Sequence, residues 1–175
     1  IQTTELLKPK NQIEEIEKEV LQGVLEVPLA IEVIPQIVYD GMTMEELGAK
    51  LDRSLKSTLS GYGAKFAELS LEYGVDPYVA IAIVLHETGC YSGRCSTLAS
   101  QCNNIGGMKG SPGCGGGAYK RFSTLDEGIE AFIKNLSKNY YQKGLTTVEL
   151  IGKKYAESKT WATKVNYYIS KIKAN

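Results

Sequence analysis

Glu87 is the carboxylate best placed for chemistry, because it ends the most apolar stretch of the chain. Residues 78–85 are all apolar or aromatic, and Gly89 follows as a natural helix stop. Desolvation beside a core and the negative end of a helix dipole both favour the protonated form of such a carboxyl. A carboxylic acid that stays protonated near neutral pH is what a general acid needs. The alternative is a glutamate that simply reaches solvent past its helix end.

Cysteine is the second reactive side chain that stands out. All four cysteines (Cys90, Cys95, Cys102 and Cys114) lie within residues 89–118, which also hold half of the 18 glycines. Such a cluster in an irregular segment favours disulfides formed in an oxidising compartment, with the pairing left open. Zinc is a weaker alternative, since the sequence has no C-x-x-C pair and a single histidine. Free thiols are the remaining alternative.

The elements that must position these side chains are mostly helices. Asp76 and Pro77 start a helix over 77–88, which we expect to be the buried central helix because it is apolar all round. Thr43 with Glu46 and Thr124 with Glu127 form two capping boxes, predicting helices to about residue 59 and about residue 141. Further helices are predicted over 11–25, 63–73, 147–156 and 160–173. Residues 105–108 and 118–122 are predicted to pair as a small hairpin.

Composition excludes some function classes. The chain has 175 residues with 43% hydrophobic, enough for a packed core. Lys+Arg 20 balance Asp+Glu 20, so no overall field favours nucleic acid. No transmembrane stretch is evident. Because the chain begins with Ile, we expect that a signal sequence or anchor has been removed from it.

Three motifs follow one another in the chain: AIAIVLHETG ending at Gly89, CNNIGGMKG at 102–110 and AYKRFSTLDEGIEAF at 118–132. Together they resemble the glucosaminidase family of peptidoglycan hydrolases, glycoside hydrolase family 73 of the lysozyme-like superfamily. The resemblance covers roughly residues 62–173. It implies a mainly α (α+β) lysozyme-like domain with a small Gly/Cys-rich β-lobe over the cleft. We therefore predict this domain at 60–175, and an N-terminal helical extension or stalk at 1–59.

The resemblance assigns roles to individual residues. Glu87 matches the general acid, and Tyr119 matches a strand tyrosine near the reaction centre. Asn103, Asn104 and Lys109 match a motif that shapes the cleft wall and are predicted to bind substrate. The alternatives are that the two asparagines stabilise a turn, that Tyr119 is a core aromatic and that Lys109 is plain surface.

The locations of two further aromatic residues are predicted from their positions in the helices. Tyr140, at the end of the helix from Thr124, is predicted to edge the cleft. Trp161, the only tryptophan, is predicted to be a core residue rather than a sugar platform.

The missing feature is a second carboxylate, since no Asp or Glu occurs between Glu87 and Asp126. Glycosidases commonly pair two carboxylates across the scissile bond. Three mechanisms remain: the N-acetyl oxygen of the substrate is the nucleophile, Glu87 acts as acid and then base, or Asp126, Glu127 or Glu130 reaches the cleft. We favour a mechanism centred on Glu87 with Tyr119 orienting the N-acetyl group. We expect Asp126 and Glu127 to serve the helix cap.

The leading prediction is an endo-β-N-acetylglucosaminidase that cuts peptidoglycan at GlcNAc, needs no cofactor and contains no metal. The alternatives are a muramidase or lytic transglycosylase on the MurNAc side, or a non-catalytic cell-wall-binding module. The predicted partner is the glycan strand, and nucleic acid is not expected. We expect a monomer at the bacterial cell surface or cell wall. Residues 1–59 are expected to link it to a membrane anchor or larger assembly.

Overall fold

Two compact units make up the chain, Ile1–Pro35 and Gln36–Asn175. The computed structural model describes residues 14–15, 17–18, 21–23 and 34–175. In the first unit, residues 14, 15, 17, 18 and 21 are helical, in agreement with the helix predicted over 11–25. The rest of that predicted helix lies outside the described residues. The functional division between residues 59 and 60 stays a prediction.

Helices dominate the second unit, which confirms the mainly α prediction. An antiparallel pair of short strands comes first, β1 (Ile37–Tyr39) and β2 (Met42–Thr43). Seven α-helices follow among the described residues: α1 (Met44–Asp52), α2 (Gly63–Glu72), α3 (Pro77–Thr88), α4 (Thr97–Cys102), α5 (Leu125–Asn139), α6 (Val148–Tyr155) and α7 (Trp161–Ala174). Short 3-10 turns join them at Ser57–Leu59, Cys90–Ser92, Cys114–Gly116 and Tyr141–Lys143.

The central helix α3 forms as its sequence predicts. The Asp76 carboxylate accepts hydrogen bonds from the backbone N–H groups of Tyr78 (2.8 Å) and Val79 (3.1 Å), which caps the first turn. Gly89 ends the helix in the left-handed conformation at φ +69°, where a Cβ would cause strain. Residues 77–85 are all buried, so α3 is the core of the unit.

The other helices pack around α3 and around one another. Helix α7 lies along α3, and α2 packs against α1, α3 and α5. Helices α1 and α2 approach closely because Gly48 and Gly63 face the partner backbone, where a Cβ would clash. Thr43 and Glu46 form the predicted capping box at the start of α1. None of the described helices is both long and apolar enough to cross a membrane.

Residues 89–124 form an irregular lobe, which we call the lobe from here on. Two disulfides, Cys90–Cys95 and Cys102–Cys114, confirm the disulfide prediction and supply the pairing. The predicted hairpin is wrong in detail: no regular ladder forms within this described segment. Isolated bridges join Lys109 to Tyr119 and Gly113 to Lys120 instead. The lobe is therefore held by disulfides, side-chain hydrogen bonds and scattered backbone hydrogen bonds, such as the one from the Lys120 N–H to the Met108 carbonyl at 2.8 Å, rather than by a regular sheet.

Candidate active site

A cleft of about 400 Å³ lies between the end of α3, the lobe and the C-terminal helices. Its lining residues come from five separate parts of the chain: Glu87, Gly106, Gly107, Met108, Tyr119, Asn135, Tyr140, Tyr155 and Ala156. Three of the predicted site residues, Glu87, Tyr119 and Tyr140, therefore share one cavity.

Glu87 reaches the cleft from the last turn of α3. The indole Nε1–H of Trp161 donates a hydrogen bond to its Oε1 at 3.4 Å. The residue is exposed, so the apolar core does not desolvate the carboxyl, contrary to expectation. Any shielding from water must come from a bound substrate. The indole donor fixes the direction of the carboxyl group, which a proton donor to a single substrate atom requires.

Three aromatic rings, those of Trp161, Tyr155 and Tyr140, pack in series beside the Glu87 carboxyl. Trp161 is only 3% exposed, which places it in the core as predicted and leaves no face for a sugar. Its ring stacks on Tyr155 with centroids 5.0 Å apart, and Tyr155 lies 5.7 Å from Tyr140. Tyr155 was not predicted as a site residue, because in sequence it only ends an amphipathic helix. Trp161 thus acts on Glu87 while remaining a core residue.

Two tyrosines of the cleft keep their phenolic protons. Burial raises the pKa of Tyr155 well above its usual range, and the negative charge of Glu87 raises it further. Burial also raises the pKa of Tyr140, which is 9% exposed. Both hydroxyls are therefore neutral at physiological pH. The hydroxyl of Tyr155 donates to the Gly106 carbonyl at 3.5 Å.

Tyr119 belongs to the lobe side of the cleft. It is 46% exposed, which excludes the alternative of a core aromatic. Its ring lies beside Gly107, since a Cβ placed there would sit 3.9 Å from Cε1. A tyrosine with an exposed ring at a cleft edge can contact a sugar by stacking or by hydrogen bonding.

Asn104 and Asn103 hold the lobe together. Asn104 is 1% exposed, and its Nδ2 donates to the carbonyl oxygens of Met108 (2.8 Å) and Lys120 (2.8 Å). Its Oδ1 accepts from the Met108 N–H at 3.0 Å. Asn103 ends α4 at φ +53° and donates from Nδ2 to the Phe122 carbonyl oxygen at 3.0 Å. Both amides thus bond to the backbone of the lobe, which places Met108 in the cleft wall.

Lys109 lies in a neighbouring cavity rather than in the cleft itself. That cavity measures about 390 Å³ and is lined by Met108, Lys109, Lys120, Phe122, Ala131 and Asn135. Met108 and Asn135 line both cavities, so the two are neighbours. We call this second space the lobe-side cavity. Lys120 was not singled out in the sequence.

The carboxylates proposed to fold back into the cleft are engaged elsewhere. Asp126 pairs with Lys65 at 3.6 Å and Glu130 pairs with Lys134 at 2.7 Å. Glu127 accepts from the backbone N–H preceding the helix cap at 3.1 Å, which agrees with the predicted capping role. Glu87 is the one carboxylate among the described residues that line the cleft. Among all the residues that the structure describes, no group of His, Cys, Asp and Glu side chains could hold a metal ion.

A family model described as glucosaminidase, mannosyl-glycoprotein endo-β-N-acetylglucosaminidase, matches residues 63–174. This range contains α2 to α7 and every residue of the cleft. No curated protein sequence matches the chain.

Proposed function

The chain belongs to the glucosaminidase family of glycoside hydrolases, and we propose that it hydrolyses the glycan strand of bacterial peptidoglycan. The bond cut is the one that follows GlcNAc, as for an endo-β-N-acetylglucosaminidase. The observation that carries this proposal is the position of Glu87, which shares an open cleft with Tyr119 and receives an indole hydrogen bond.

Glu87 acts as the general acid in this proposal. Its carboxylic proton passes to the glycosidic oxygen as the bond from that oxygen to the anomeric carbon breaks. With Glu87 as the one carboxylate of the described cleft, the N-acetyl oxygen of the substrate supplies the nucleophile. That oxygen bonds to the anomeric carbon and gives a cyclic oxazolinium ion. The Glu87 carboxylate then takes a proton from the water that opens this ion.

The tyrosines have separate tasks in the proposed mechanism. Tyr119, at the exposed edge of the lobe, orients the N-acetyl group for attack. Tyr140 remains protonated and donates a hydrogen bond to a sugar oxygen, whereas the hydroxyl of Tyr155 donates to the Gly106 carbonyl at 3.5 Å and holds the cleft wall. Such contacts favour one orientation of the sugar ring in the cleft, which brings its anomeric carbon close to Glu87 and the N-acetyl oxygen and so adds to the rate.

The test is a parallel digestion of purified peptidoglycan by the wild type and Glu87→Gln, followed by mass spectrometry of the soluble fragments. Reducing-end GlcNAc is expected from the wild type, with the rate lowered at least about 100-fold in the variant. Glu130→Gln is the matched control, because it neutralises a carboxyl outside the cleft. Wild-type activity in Glu87→Gln would overturn the role of Glu87.

A lytic transglycosylase is the second candidate, and the single carboxylate of the described cleft favours it over a two-carboxylate muramidase. In that reaction the C6 hydroxyl of MurNAc, rather than water, would attack the anomeric carbon. Fragments ending in anhydro-MurNAc would identify it. Binding to walls without any fragment release would instead indicate a non-catalytic cell-wall-binding module.

The proposed location is the bacterial cell surface or cell wall. The substrate is found there, and the two disulfides suit an oxidising compartment. We further propose that residues 1–59 serve as an extension or stalk toward a membrane anchor or larger assembly. The domain itself is proposed to act as a monomer.

A further inference from the structure

The lobe-side cavity extends the cleft away from Glu87. It shares Met108 and Asn135 with the cleft and has nearly the same volume, about 390 Å³ against about 400 Å³. A polymer bound in the cleft therefore has Met108 and Asn135 between its reacting sugar and this second cavity. The cavity has no part in the chemistry at Glu87, so it needs its own explanation.

Two ammonium groups give the lobe-side cavity its chemical character. Lys109 and Lys120 both line it, and no acidic side chain does. The Nζ of Lys120 lies 5.0 Å from the centroid of the Phe122 ring, and its methylene groups lie against Gly110. In the described part of the chain, neither lysine has a carboxylate at salt-bridge distance.

The nearest acidic element does not offset this charge. Helix α5 contributes Ala131 and Asn135 to the cavity wall, and its acidic residues point to other partners. Asp126 and Glu130 are paired with lysines, and Glu127 is bonded to the backbone at the helix start. Two unpaired lysines in a concave site favour an anionic ligand, and charge-assisted bonds to a carboxylate are stronger than neutral ones.

We propose that the lobe-side cavity binds a carboxylate of the peptidoglycan stem peptide. This inference rests on the proposed function, since it concerns the same substrate. In the intact polymer the lactyl group of MurNAc is tied up in an amide bond, so the free carboxylates belong to the stem peptides. A peptide held by Lys109 and Lys120 fixes the side of the cleft on which the adjacent MurNAc lies. The cavity therefore sets the register of the strand relative to Glu87.

The experiment compares two forms of one substrate. Purified walls are extracted with hydrofluoric acid to remove phosphate-linked polymers. One portion is then treated with carbodiimide and ammonia, which converts stem-peptide carboxylates to amides. Initial rates of reducing-end release are measured on both for the wild type, Lys109→Gln/Lys120→Gln and Lys109→Arg/Lys120→Arg. Lys109→Gln and Lys120→Gln are also measured singly, and Lys164→Gln, at an exposed lysine on α7, is their charge-matched control.

The measured quantity is the ratio of the rate on carboxylate walls to the rate on amidated walls. We expect a wild-type ratio of about five to ten, falling to about one in the double glutamine variant. The arginine variant and Lys164→Gln are expected to keep the wild-type ratio. An unchanged ratio in the glutamine variant, or a wild type that does not distinguish the walls, would overturn the proposal.

Two further outcomes separate this inference from its alternatives. If the lysines matter only on walls that keep their phosphate-linked polymers, the bound anion is a phosphate and the stem-peptide proposal is wrong. If no wall preparation yields fragments whose release is lost in Glu87→Gln, the proposed function is wrong. The inference about the lobe-side cavity is then wrong as well. Thermal unfolding of each variant checks that a lost preference does not come from a lost fold.

Discussion

Replacing Asn104 tests whether the asparagine pair builds the lobe or contacts substrate. Asn104 is buried and makes three hydrogen bonds of 2.8–3.0 Å, and Asn104→Ala removes all three. The Met108 N–H and the Lys120 carbonyl then lose their partner, whereas the Met108 carbonyl keeps the bond from the Lys120 N–H at 2.8 Å. At about 1 kcal/mol for each bond, we expect the free energy of unfolding to fall by about 3 kcal/mol. For a unit of this size that corresponds to a Tm lower by about 10 °C.

Asn103→Gly is the matched control. Glycine adopts the left-handed conformation of Asn103, at φ +53°, without strain, and a single hydrogen bond to Phe122 is lost. We expect about 1 kcal/mol, a third of the effect of Asn104→Ala. Asn104→Asp is expected to destabilise more at pH 7 than at pH 4, because only a protonated carboxyl can donate to one of the two carbonyls.

Calorimetry or urea unfolding measures the stability change, and wall lysis well below the Tm measures activity. Asn104 places Met108 in the cleft wall, and it also bonds to the carbonyl of Lys120, the residue after Tyr119. Partial loss of lysis is therefore expected together with the lower Tm. A wild-type Tm combined with abolished lysis would refute the reasoning. The amide would then act on the substrate rather than on the lobe.

Three further predictions follow from single contacts. Gly128→Ala should lower stability by about 1–3 kcal/mol in urea unfolding, since a Cβ there clashes with a backbone carbonyl of the lobe. Trp161→Phe keeps an aromatic ring but removes the donor to Glu87, so we expect kcat/KM on walls, measured well below the Tm, to fall about fivefold; an unchanged kcat/KM would contradict this. The smaller ring also leaves a gap in the core, so the Tm is expected to fall as well. The hydrogen bond and charge of Lys134 lower the pKa of Glu130 below its ordinary 4.5. The ion pair therefore stabilises the folded state above pH 4.5, and this contribution is lost as the pH falls through the pKa that Glu130 has in the folded state. Glu130→Gln should therefore lower the Tm slightly at pH 7, and the difference should vanish as the pH falls below the folded pKa of Glu130; a difference that stays constant with pH would count against the pair.

Most helix starts were predictable because their signals lie within a few residues, but the helix predicted to about residue 59 ends at Asp52, and α4 was not predicted. Asp76 and Pro77 start α3, Gly89 ends it, and its apolar run places it in the core whatever surrounds it. The second capping box is half confirmed: Thr124 accepts from the Glu127 N–H, but Glu127 bonds back to the N–H of Ser123. The β1–β2 hairpin was not predicted, since strands this short give too few residues for a periodic signal.

The sequence alone determined that a buried helix ends in a carboxylate and that a cysteine- and glycine-rich segment comes next. It could not determine what surrounds that carboxylate, because the indole that bonds to Glu87 is 74 residues away in the chain. Tertiary packing also decided that the acidic residues of α5 turn to lysines and a helix cap, and that Asn104 bonds to the lobe. Local signals fix where helices begin and end, whereas the contents of a cleft depend on how distant helices meet.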